Sequence, residues 1–167
     1  MGHRENGLTL IEAVVTVAIL GIVVAAVNQV WVQFATGYER TTDQAYRQER
    51  AVAVLRELVD GVGQDPGLRA ALEVRTTPGD SGIAYVAARA GGERIVVEYY
   101  LVGSQLYRSA RAWYEGWPQW SGGSVVLTRV ATFSISWESG LYRITLALEG
   151  DQGAALVTGV RPRNART

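Results

Sequence analysis

The 167-residue chain contains no cysteine, and none of its sixteen basic residues is lysine. Without thiols there is neither a disulfide nor a thiolate metal site, although this absence carries no information on whether the compartment is oxidising. An all-arginine basic set fits a compositional bias of the genome or a hot habitat equally well. Histidine occurs once, as His3. No glycine-rich phosphate loop and no zinc motif is present, so the sequence names no cofactor and no metal. An excess of one charge is lacking too. Sixteen Lys plus Arg against sixteen Asp plus Glu give a formal net charge of +0, which offers no electrostatic reason for nucleic acid as a direct ligand.

What the chain does have is a long apolar run. From Leu8 to Val27 there are twenty residues with a single charge, Glu12, and twelve of the twenty are Leu, Ile or Val. At about 1.5 Å per residue a helix of that length crosses about 30 Å of hydrocarbon. An acid costs on the order of 3 kcal/mol at the bilayer centre and less near an end, so insertion survives Glu12 but does not explain it. One explanation is an acid that snorkels to the interface or stays protonated; the other is a cation waiting in a partner. Val24-Ala25-Ala26 also admits an ordinary secretory signal cut after Ala26. Such an h-region is typically 7–15 residues long and lacks an acid, whereas this run is longer, carries Glu12 and continues in helical pattern. Arg4 in front of the run favours a cytoplasmic amino terminus.

Beyond Val27 the apolar residues narrow to a stripe of Val27, Trp31, Phe34, Tyr38, Ala45, Val52, Leu55, Val59 and Val62, mostly at three- and four-residue steps. The spacing predicts one helix from 8 to 62, roughly 80 Å long, that stops at Gly61, Gly63 and Asp65-Pro66-Gly67. Its first half needs a cover from lipid or other helices, and Gly21 and Gly37 are its weak points. A short helical piece is expected over Leu68 to Val74. From Ile83 the period becomes two. Strands are predicted at Ile83–Arg89, Arg94–Val102, Gln105–Arg111, Ser124–Glu138, Leu141–Glu149 and Ala154–Val160, with hairpins at Gly91-Gly92, Gly103-Ser104, Ser139-Gly140 and Gly150 to Gly153. The fold class expected is α+β: a long N-terminal helix whose lower half packs on a C-terminal antiparallel β-sheet head.

Gly7 followed by Leu8-Thr9-Leu10-Ile11-Glu12 and an uninterrupted apolar helix resembles the class III signal of type IV pilins and pseudopilins. The resemblance implies a leader at 1–7, cleavage between Gly7 and Leu8 by a prepilin peptidase, and N-methylation of Leu8, where the family usually has Phe. It places the span at 8–27 and the head at 63–167. It also makes Glu12 an assembly residue, the acid of one subunit neutralising the freed amine of a neighbour. The hairpin Val97–Arg108 and the segment Val126–Ile135 are similar to J-type pseudopilins and W-type minor pilins, as is the end Val160-Arg161-Pro162-Arg163-Asn164. Unlike many major pilins, the span has no proline. The function so implied is a minor pilin or pseudopilin, an assembly-priming subunit of a type IV pilus, type II secretion or DNA-uptake machine. Its partners would be the peptidase, the inner membrane and other pilin or pseudopilin subunits, and it would lie single-pass in the inner membrane with an extracytoplasmic head before joining a filament.

Other constellations are weaker. Gly79-Asp80-Ser81-Gly82 is similar to a serine-protease nucleophile segment, but the base is missing because His3 lies in the leader; a turn is the expected reading, and the chain is read as no enzyme. Glu149 and Asp151 could bind calcium, though two acids in a turn are usually solvated. Trp113, Tyr114, Trp117 and Trp120 form an aromatic loop that either caps the sheet core or, with two or more rings exposed, contacts a partner. The rival function, a single-pass anchored binding module for a sugar or protein, rests on that loop. Arg161, Arg163 and Arg166 form a basic tail that could touch DNA or an acidic partner, although a solvated end is the expected reading.

Overall fold

A computed structural model describes residues 9–150 and 155–163. Gly7, Leu8 and His3, and likewise Asp151 and Arg166, lie outside the described residues. Helix α1 runs from Leu10 to Asp60 without interruption. The chain divides into two units, residues 1–45 and 46–167.

In the first unit, every described side chain of α1 is exposed. Thr16 and Thr36 return their hydroxyls to helix carbonyls, to Glu12 O at 2.6 Å and Val32 O at 3.0 Å, which removes their polar cost in an apolar setting. The helix is long and apolar enough to cross a membrane.

The second unit begins with the last four turns of α1 and is otherwise β-structure. The helix ends where Gly61 adopts φ +98°. Strand β1 (Gly61–Val62) then pairs with β2 (Asp65–Pro66), so the stop is a tight hairpin rather than a frayed end. The hairpin needs two glycines, since a Cβ on Gly67 would lie 2.4 Å from Val59 O and one on Gly61 2.3 Å from Asp65 O. The helical piece expected over 68–74 is a single 3-10 turn, Leu68–Ala70, because Glu73–Thr76 is claimed by the sheet as strand β3.

β3, β4 (Gly82–Ala88), β5 (Arg94–Val102), β6 (Gln105–Ala112) and β7 (Ser124–Thr128) form a five-stranded antiparallel meander in that order. β8 (Val130–Glu138), β9 (Leu141–Leu148) and β10 (Ala155–Val160) form a second sheet, ordered β10-β9-β8. The single strand expected over Ser124–Glu138 is therefore two. Arg129 has φ +56°, and the left-handed residue swings the chain from one sheet to the other. At the predicted Ser139-Gly140 hairpin both residues have positive φ, +52° and +82°, the conformation of a type I′ turn.

One core joins the three layers. Ala51, Val54, Leu55, Leu58 and Val59 of α1 meet Ile83, Tyr85 and Ala87, Ile95, Val97 and Tyr99 from the first sheet and Phe133, Ile135, Ile144, Leu146 and Leu148 from the second. Strand β9 alternates as expected, whereas β4 and β5 are buried on both faces, and the helix face is rotated from the expected stripe. Of that stripe Val52 is exposed and Val62 lies beyond the helix in β1, while Ala51, Val54 and Leu58 are buried beside Leu55 and Val59. The face of an amphipathic helix is set by where the sheets lie, and valine fits either side.

Candidate functional site

The first candidate surface is the amino-terminal part of α1. Glu12 lies in its first turn, where a negative charge suits the unpaired N–H groups of the helix start, and its own N–H bonds to Thr9 O at 3.0 Å. The surrounding apolar side chains, Leu10, Ile11, Val14 and Val15 among them, are exposed. In hydrocarbon an acid is costly unless it is protonated or meets a cation or hydrogen-bond donors.

The second is the aromatic loop that follows β6. It lies on the outer face of the five-stranded sheet. Trp117 is buried against Ala84, Val86 and Val96, with Tyr114 and Trp120 half-buried beside it. Only Trp113 of the four rings is largely exposed, at 44%. Three of the rings thus cap the sheet, and the two exposed rings that a partner contact required are not there. Gly82 makes room for them: a Cβ would sit 3.1 Å from the Trp120 ring and 2.8 Å from Thr77 Cγ2.

Polar contacts pin the loop. The carboxylate of Glu98, fully buried in mid-β5, accepts from Arg111 Nη2 at 3.0 Å, from the Gln119 N–H at 2.9 Å and from the Tyr114 hydroxyl at 3.3 Å. Arg111 also donates to Ser121 O and Gln119 Oε1, both at 2.6 Å. Arg75 donates to Trp117 O at 2.6 Å and lies 4.4 Å over the Trp117 ring. The Tyr100 hydroxyl donates to Gly122 O. A buried carboxylate that accepts from three donors is compensated for its burial. Sequence reasoning passed over Glu98. Its signal was an acid in the middle of Ile95-Val96-Val97-Glu98-Tyr99-Tyr100-Leu101, a strand with no solvated face.

The third cluster ties the helix-ending hairpin to the first sheet. Asp65 accepts from Arg89 Nη2 at 2.6 Å and Nε at 3.0 Å through one oxygen, and from Arg108 Nη2 at 2.8 Å through the other. Burial pushes the carboxyl of Asp65 up, but the hydrogen bonds and charges of Arg108 and Arg89 outweigh it, so its pKa falls below the ordinary value. Arg108 Nε donates to the Tyr99 hydroxyl at 3.1 Å, and burial carries that tyrosine up to about 12. The Tyr85 hydroxyl, raised further by burial, donates to Pro66 O at 3.3 Å. Asp65 had been read only as part of a helix stop.

The remaining candidates resolve simply. Gly79-Asp80-Ser81-Gly82 makes the turn between β3 and β4, with Asp80 N–H on Thr77 O at 3.0 Å and Ser81 Oγ 3.3 Å from Thr77 Oγ1. Glu149 precedes residues outside the described set, and among the described residues no three acids or histidines come together. Arg161 and Arg163 are exposed.

Residues 2–28 match the family model described as the prokaryotic N-terminal methylation motif. The match supports a type IV pilin-like prepilin signal at this end of the chain, and the long helix followed by antiparallel sheets is a pilin-like α+β arrangement. No curated protein and no solved structure matches the chain.

Proposed function

We propose that the chain is a minor pilin or pseudopilin, a low-copy structural and assembly-priming subunit of a type IV filament machine. The observation that carries this reading is a helix built for two environments, headed by a methylation motif over residues 2–28. Its first part, from Leu10 on, exposes apolar side chains on every side, while Ala51 to Val59 are buried in the head. A segment apolar all round is covered by lipid or by other helices. The motif at its start is the kind that a prepilin peptidase processes.

On this reading the peptidase hydrolyses the bond between Gly7 and Leu8 at the cytoplasmic face and methylates the Leu8 amine. Residues 1–7 leave as leader, 8–27 hold the protein in the inner membrane, and the head lies on the extracytoplasmic side until the subunit passes into a filament. Glu12 then pairs with the cationic amine of a neighbouring Leu8. Each charge alone is costly in hydrocarbon, so pairing the two fixes axial register. The protein is the substrate of an enzyme and not one itself.

Co-expression with a prepilin peptidase tests the reading. Mass spectrometry should find a mature chain beginning at methylated Leu8; a chain that begins at Met1, or at Val27 after secretory cleavage, overturns it. In the organism's own filament system, Glu12→Ala should leave membrane insertion intact and depress recovery of the subunit in sheared filaments.

A further inference from the structure

The two larger sheets of the head have four edges, and three of them are guarded. β3 is only four residues long and carries Glu73 and Arg75. β7 is short and paired irregularly with β6. β8 spends outward groups on loops of the other sheet, Val130 N–H on Ser104 O at 3.0 Å and Ile135 N–H on Asp80 O at 2.9 Å. β10 differs from all three. Its six residues, Ala-Leu-Val-Thr-Gly-Val, include no charge and no proline, its register with β9 is regular throughout, and among the described residues no hydrogen bond reaches its outer edge. Charges, proline and bulges are the usual devices that keep an edge strand from pairing.

Beside this edge lies a groove of about 350 Å³ between β10 and the last turns of α1. Leu156, Val157 and Thr158 all line it. Consecutive strand residues point to opposite faces, so a groove that touches all three follows the strand's edge and not one of its faces. Val157 and Val52, from the two walls, are 51% and 45% exposed. The charge around it is unbalanced. Asp60 is taken by Arg69 at 3.2 Å, while Arg56 has no ion-pair partner among the described residues. Arg69 also lines the groove, and its carbonyl holds the backbone N–H of Arg163 at 3.0 Å just past the end of β10.

We propose that this groove receives an extended, acidic and apolar segment of a partner protein, which adds to the β10 edge as a fourth strand. The backbone groups of β10 supply the affinity, the groove takes alternate apolar side chains, and Arg56 selects an acid. A second copy is the poorer occupant, because pairing β10 with β10 across a two-fold axis brings one basic rim against the other. The proposal concerns the head alone and stands apart from how the amino terminus is processed.

The test is hydrogen exchange on the full-length chain in detergent micelles, with a synthetic ten-residue peptide of alternating Val and Thr flanked by Asp as probe, and its Lys-flanked counterpart as control. The Asp peptide should slow exchange across 155–160 by about tenfold or more, and the Lys peptide should not. Arg56→Glu should reverse that preference, and Val52→Glu should weaken binding of the Asp peptide about tenfold; both sites are exposed, and unchanged tryptophan fluorescence confirms the fold. Protection elsewhere than 155–160, equal protection by both peptides, or none at millimolar peptide overturns the proposal. So does a dimer in sedimentation that Val52→Glu dissolves, which would make the occupant a second copy.

Discussion

Residues 10–27 and 51–59 belong to one helix and obey opposite rules. The first stretch is apolar on all sides and buries nothing within the chain; the second is mixed in composition and buries Ala51, Val54, Leu55, Leu58 and Val59 almost completely. Backbone geometry does not separate them, since α1 is continuous from Leu10 to Asp60. What separates them is the cover each needs. The second finds it in two sheets of its own chain, and the first must find it in lipid or in other subunits. A helix can therefore carry the stability of a head and the assembly of a larger body at once, with the two duties on different residues.

Paired truncations along α1 would break this division most sharply. Leu58→Ala, in the core, should cost the head roughly 2–5 kcal/mol in denaturant unfolding followed by tryptophan fluorescence. Leu20→Ala, exposed, should change the same transition by no more than about 0.5 kcal/mol. Equal losses would mean that the two stretches are not independent.

The ties between the end of α1 and the sheet come next in size. Asp65→Asn leaves Arg89 and Arg108 facing a neutral acceptor and should cost about 1–3 kcal/mol. Because the folded pKa of Asp65 lies below its ordinary 3.8, its stabilisation is complete above that value and is lost as pH falls through the folded value. Acid should therefore erode the stability of the parent chain more than that of Asp65→Asn. A similar but smaller loss, about 1 kcal/mol, is expected for Glu98→Gln. That variant keeps an acceptor for Gln119 N–H but turns its amide NH2 on Arg111 and loses that bond, and a red-shifted tryptophan emission should report the loosened loop.

Gly21→Ala carries the smallest effect and the sharpest contrast. A Cβ there meets nothing within 4 Å in the chain itself. In micelles it should strengthen α1 by about 1 kcal/mol or less. If Gly21 admits a neighbouring helix in the filament, the same change should lower subunit incorporation.

Much of this division was legible in the sequence, because the apolar run and the change of period from 3.6 to 2 are physical signatures of helix and strand. The helix face was read only in part. Val52 fits the period as well as Leu58 does, and only the position of the sheets chooses between them. The change of sheets at Arg129 had no signal, for arginine has no taste for the left-handed region and Thr128-Arg129-Val130 continues the alternation. In the aromatic loop the composition allowed either packing or contact. Glu98 and Arg75 decide for packing from strands distant in the sequence, together with Arg111 at the loop's own start.

The absence of cysteine makes the central claim directly measurable, since each introduced thiol is the only one in the chain. Full-length chains carrying Val17→Cys, Tyr46→Cys or Leu58→Cys, placed in sealed inner-membrane vesicles, can be treated with a membrane-impermeant maleimide added from the side of the head. Tyr46→Cys, exposed in the head unit, should label at once; Leu58→Cys should label only after denaturation of the head; and Val17→Cys, although exposed in the chain itself, should label only after the bilayer is dissolved. Labelling of Val17→Cys in intact vesicles as fast as Tyr46→Cys would contradict the claim that the first part of α1 takes its cover from the membrane.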